Sequence, residues 1–134
     1  SIGIKETAAE LQPQEDAIHE LNTQESLDKQ LDVIWRTPQR YHLMRQFASY
    51  ADRETILTYY GIELEKNGWK SEGMSEFYGY ENGYKDKMLL SQTYTWVKGK
   101  YKFEIIFDLE DLGTKENYTE DGRLEYYINV KPVS

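Results

Sequence analysis

Asp108, Glu110, Asp111, Glu116, Glu120 and Asp121 crowd the stretch 108–121, and oxygen ligands at that density suggest calcium. In an EF-hand register beginning at Asp108, Glu110 takes the third position and Gly113 the sixth, where the sharp turn falls. Leu112 then stands fifth and Thr119 twelfth, where side-chain oxygens, including a bidentate carboxylate, are required. The stretch therefore reads as a long solvated acidic loop. His19 and His42 are the only histidines, each alone in sequence, and no H-x-x-x-H, H-E-x-x-H or G-x-S-x-G pattern exists. The chain has no cysteine, which excludes disulfides, thiolate nucleophiles and Cys-held zinc within it. The expectation is no catalytic residue, no cofactor and no metal. The alternative is a small enzyme using an acid pair or an irregular metal site, for which two carboxylates must face each other across a cleft.

Aromatic residues offer a different chemistry. Twelve Tyr, four Phe and three Trp exceed what an apolar core of this size needs, and tyrosine gives contact area at low entropic cost. Tyr78, Tyr80 and Tyr84 flank Asn82-Gly83, a tight-turn dipeptide that displays its neighbours outward. These three form the candidate binding surface. The charge narrows the partners. With 24 acids against 16 bases the net charge is −8, which excludes a nucleic-acid stripe and an anionic membrane surface. No apolar run reaches the roughly 18 residues needed to span a bilayer.

The best-marked element is a helix from Asp52 to Asn67. Asp52 can accept from the free amides of the first turn, and Glu54 suits the positive end of the dipole. Ile56, Leu57, Tyr60 and Leu64 share one face. Gly68 supplies the left-handed stop, which makes Trp69 the residue that folds back on Leu64. Alternation gives a strand over 40–50 and another over 123–131, the latter with Leu124, Tyr126, Ile128 and Val130 on one side. Residues 90–107 form a hairpin. With Lys98-Gly99 as its turn, Trp96 faces Tyr101 and Tyr94 faces Phe103. Residues 15–35 have helical spacing, with Leu27, Leu31 and Ile34 on one face, up to Thr37-Pro38. Residues 1–14, polar and containing Pro13, read as a flexible tail before a single domain over 15–134. Between 71 and 89, a hairpin at Asn82-Gly83 and a helical turn over Lys85–Leu90 both stay open.

Tyr60-x3-Leu64-x3-Gly68-Trp69, preceded by Tyr59, resembles a helix of small bacterial exported proteins and lipoproteins of unknown function. Asp32–Pro38 resembles that group's entry segment, with Thr37-Pro38 where the group often carries Tyr-Pro. The likeness spans roughly residues 32–109 and transfers no catalytic residue. It implies a bacterial extracytoplasmic protein, in the cell envelope or secreted, either exported free or held by a lipid anchor upstream of residue 1, with an envelope protein or glycan as partner. The expected fold is α+β: a two-layer sandwich with a mainly antiparallel sheet of about four strands. That sheet packs on the main helix, and the Leu27–Ile34 helix is an accessory. The expected role is a non-catalytic binding or structural module.

Overall fold

The computed structural model describes residues 4–27, 32–36, 40–80, 86–110 and 113–133. In chain order the elements are α1 (Ile4–Asp16), β1 (Gln24–Ser26), β2 (Asp32–Arg36), β3 (Arg40–Ser49), α2 (Arg53–Lys66), β4 (Lys70–Gly79), β5 (Met88–Lys98), β6 (Tyr101–Glu110), β7 (Lys115–Glu116) and β8 (Leu124–Pro132).

Both ends of α2 are built as its sequence dictates. Asp52 accepts the Thr55 N–H at 2.8 Å, and that bond holds its carboxyl below the usual aspartate range. At the other end Gly68 has φ +87°. The Trp69 N–H donates to the Leu64 carbonyl at 3.0 Å and the Gly68 N–H to that of Glu65 at 3.1 Å. This pair of bonds is the Schellman motif, and it throws the chain back toward the sheet. Trp69 lands edge-on against Phe103 with ring centroids 5.8 Å apart, and it is 4% exposed.

All described strand pairings are antiparallel. The order is β1-β3-β8-β6-β5-β4, with β2 on the same edge of β3 as β1 and the two-residue β7 appended to β6. Period-two alternation sends Leu43, Phe47, Leu124, Tyr126, Ile128, Val130, Phe103, Ile105, Phe107 and Trp96 to one face, where they meet Ile56, Tyr60 and Leu64 of α2 and Leu11 of α1 in one buried cluster. Tyr60 and Tyr126 are buried to the hydroxyl, so each needs a polar partner. Both donate to Gln24 Oε1 at 2.5 Å, and the Tyr60 oxygen also accepts the Leu21 N–H at 3.2 Å. Burial pushes both phenols well above their ordinary pKa.

Four expectations are corrected. The sheet is not a four-strand layer on one main helix: the protein is mostly a seven-strand antiparallel sheet with two helices. Among the described residues of the expected Leu27–Ile34 helix none is helical. That region holds β1 and the backbone of β2, both paired to β3. Its Val33, Ile34 and Trp35 are strand formers, and an open sheet edge outweighs helical spacing. Residues 28–31 lie outside the described residues. The flexible tail is replaced by α1, which carries Pro13 in its last turn and buries Leu11 completely. Finally, the β5–β6 turn is Gly99-Lys100, so Trp96 pairs with Phe103 and Tyr94 with Ile105. Gly99 takes the first loop position with φ +57°, where hairpin turns favour glycine. The shift is two residues, so every side chain keeps its expected face.

Trp69→Ala is expected to lower unfolding free energy by about 3–5 kcal/mol in a denaturant titration, since it empties the contact between α2 and the sheet. Gly68→Ala should cost about 1–2 kcal/mol through its positive φ. Crowding adds nothing, because the nearest side chain, Lys98, would lie 3.5 Å from the new Cβ.

Candidate functional site: a groove on the helix-free face of the sheet

Both helices occupy one face, so the opposite face of the same strands is left to polar residues. Three cross-strand rows line it. Met44, Asn129 and Glu104 stand side by side, then Tyr127, Ile106, Thr93 and Ser75, then Asp108, Ser91 and Phe77. Together with Glu76 and Lys131 these residues form a groove of about 550 Å³. Phe77 comes from β4, the edge strand, where the register shifts between Phe77 and Tyr78. Such an irregularity bends an edge and re-aims its side chains. Phe77 remains 63% exposed, a flat apolar ring at the groove wall.

One end of the groove is rigid. Asn129, 1% exposed, donates its amide hydrogens to His42 Nδ1 and Glu104 Oε1, both at 2.9 Å. A reversed amide would set its oxygen against the Glu104 carboxylate, so this orientation is the satisfied one. His42 therefore accepts at Nδ1 and carries its proton on Nε2. Lys131 Nζ lies 3.2 Å from Glu104 Oε1 and completes the charge balance there.

The other end is not balanced. Burial alone raises the Asp108 carboxyl above the usual range, and the carboxylate has no hydrogen bond or ion pair among the described residues. Phe77, Ser91 and Asp108 also line a second hollow of about 410 Å³ beside the first, together with Leu90, Leu109, Glu110 and Asn117. Two buried acceptors lack donors: Asn117 Oδ1, on a residue lining the second hollow, and Asn129 Oδ1, on a residue at the rigid end of the groove. Glu104 and Asp108, four residues apart on one strand, are about 13 Å apart along it. That is wider than the carboxylate pairs of glycosidases.

Of the residues singled out from sequence, Tyr78 and Tyr80 are 50% and 62% exposed at the end of β4. The Tyr78 hydroxyl donates to Glu76 at 3.1 Å, and neither tyrosine lines the groove. Tyr84 and the Asn82-Gly83 turn lie outside the described residues. The structure brings together instead Phe77, Asp108 and Asn129, which are far apart in sequence. Their only sequence signal is their place opposite the apolar members of each strand, and that needs the register to be read. The acidic stretch is not one loop, since Asp108 and Glu110 belong to β6. Asp121 accepts from Thr119, Arg123 and Tyr50, the Thr119 bond foremost, and its carboxyl is held down at about 2. Among the described residues no group of three His, Asp or Glu is placed to hold a metal, and no helix is long and apolar enough to cross a membrane.

Asp108 yields a pH-dependent prediction. Its folded pKa is raised, so the native state binds the proton more readily than the unfolded chain. Ionisation therefore costs stability as pH climbs from the ordinary aspartate range through the raised value. Asp108→Asn should be more stable than the parent at neutral pH. The difference should vanish below the ordinary aspartate pKa of about 3.9 when melting temperatures are compared across pH.

No known protein family, curated protein or solved structure matches this chain.

Proposed function

We propose that the protein is a non-catalytic binding module whose helix-free sheet face takes an extended glycan. The observation that carries this reading is the groove itself: an open trough across five strands, floored by hydroxyl, amide and carboxylate groups and walled by the exposed ring of Phe77. Sugar hydroxyls need acceptors and donors at close spacing, and the apolar face of a sugar ring needs a flat partner. Ser91, Thr93, Asn129, Glu104 and Asp108 offer the first, and Phe77 the second. The groove is prepared rather than induced at the Asn129 end, where the His42–Asn129–Glu104–Lys131 chain fixes the side chains.

The setting is the bacterial cell envelope, with the chain exported or lipid-anchored. Support for that comes from the resemblance carried by Tyr60, Leu64, Gly68 and Trp69, and a glycan ligand agrees with it.

Chemical-shift mapping against a panel of neutral oligosaccharides tests the reading. Shifts are expected at Phe77, Thr93, Ile106, Tyr127 and Asn129, and Phe77→Ala should weaken the binding about tenfold. Saturable shifts confined to α2 or to Tyr78 and Tyr80, with the groove silent, would contradict it.

A further inference from the structure

We infer that the junction of the two hollows, where Phe77, Ser91, Asp108 and Asn117 meet, is a subsite for a primary ammonium group, so that the ligand is a glycan bearing free amines. This inference rests on the groove reading and narrows it.

The junction is unbalanced in hydrogen-bonding capacity. An ammonium group has three donors and no acceptor. At the junction the acceptors outnumber the donors: both oxygens of the Asp108 carboxylate and Asn117 Oδ1, buried with no partner, stand against the single Ser91 hydroxyl. Asn129 Oδ1 adds a further buried acceptor at the other end of the groove. A neutral hydroxyl could use some of these groups but would leave the Asp108 charge uncompensated. Two cations of the described residues are already engaged. Lys131 is bound to Glu104 at 3.2 Å, and Arg53 is committed to Glu116 at 2.9 Å. Glu76, also in the groove, accepts from Tyr78 and Gln92, whereas Asp108 and, in the second hollow, Glu110 have no hydrogen-bond donor or counter-charge among the described residues. Phe77 adds an aromatic face beside that charge. A cation between a carboxylate and an aromatic face is held by both, and more strongly where water is partly excluded. The −8 net charge of the chain favours the approach of a cationic ligand.

The test compares two trisaccharides of one skeleton: glucosamine trimer with free amines and its fully N-acetylated counterpart. Binding is followed by chemical-shift titration just below neutral pH, on the parent and on Asp108→Asn. This variant is expected to fold, since its substitution removes an uncompensated charge. The amine-bearing trimer should bind about tenfold tighter to the parent, with shifts at Ser91, Asp108 and Asn117. Asp108→Asn should erase that preference by weakening the amine-bearing trimer far more than the acetylated one, whose hydroxyls the introduced amide can still meet. Equal affinity of the two trimers, or a preference that survives Asp108→Asn, would overturn the subsite and leave the groove reading standing. If neither trimer shifts any groove residue, the groove reading fails and the subsite with it. Saturable shifts at Ser91, Asp108 and Asn117 on adding Ca²⁺ alone would overturn the ammonium assignment and give those oxygens to a metal.

Discussion

The seating of Trp69 on Phe103 is the contact on which the rest of the molecule depends. It fixes where α2 stops and which face of the sheet that helix covers. Once α2 lies across β6, Tyr60 reaches the Phe103 ring at 6.2 Å and Arg53 stacks on Phe107 at 4.5 Å while bonding Glu116, Gln92 and Tyr94. Helix α1 seals the rest of that face through Leu11, the 2.8 Å Glu15–Arg45 bond and the Glu10–Tyr101 bond. The apolar side chains of the sheet are thus buried on one side. The opposite side of the same strands is free to be polar and open, and the groove follows from this asymmetry.

The two ends of the groove differ in the way that stability and binding usually conflict. At Asn129 both amide hydrogens are used, and Glu104 has a counter-charge, so the charged floor is held in place. At Asp108 a half-buried carboxylate has no donor or counter-charge among the described residues. An amide side chain would cost less there. An uncompensated group of this kind fits a site whose partner arrives from outside.

What could be read in the sequence was local. The cap at Asp52, the stop at Gly68-Trp69 and the faces of β3, β5, β6 and β8 are each specified within a few residues, and they appear where expected. What could not be read depends on distant pairing. β1 and β2 exist because β3 presents an edge to them. Helix α1 exists because a depression in the core accepts Leu11, which a Pro13-bearing polar stretch does not announce. The hairpin turn lies one residue later than expected, which shifts the cross-strand pairing by two; Lys98-Gly99 and Gly99-Lys100 sort the faces identically, and only the position of Gly99 in the loop separates them. The site was hidden for the same reason. Exposed tyrosines near a turn signal were visible in sequence, whereas the groove is assembled from five strands, with Phe77 brought opposite Ser91 and Asp108 by register alone.

The most direct test of the central claim, that the helix-free face is the binding face, is the set of intermolecular nuclear Overhauser contacts between a bound oligosaccharide and the methyl groups of the protein. Ile106 and Met44 line the groove, whereas Ile62 on α2 and Met74 on β4 are exposed elsewhere. The account predicts contacts from sugar protons to Ile106 and Met44 and none to Ile62 or Met74. Contacts to Ile62 or Met74, with Ile106 and Met44 silent, would contradict it.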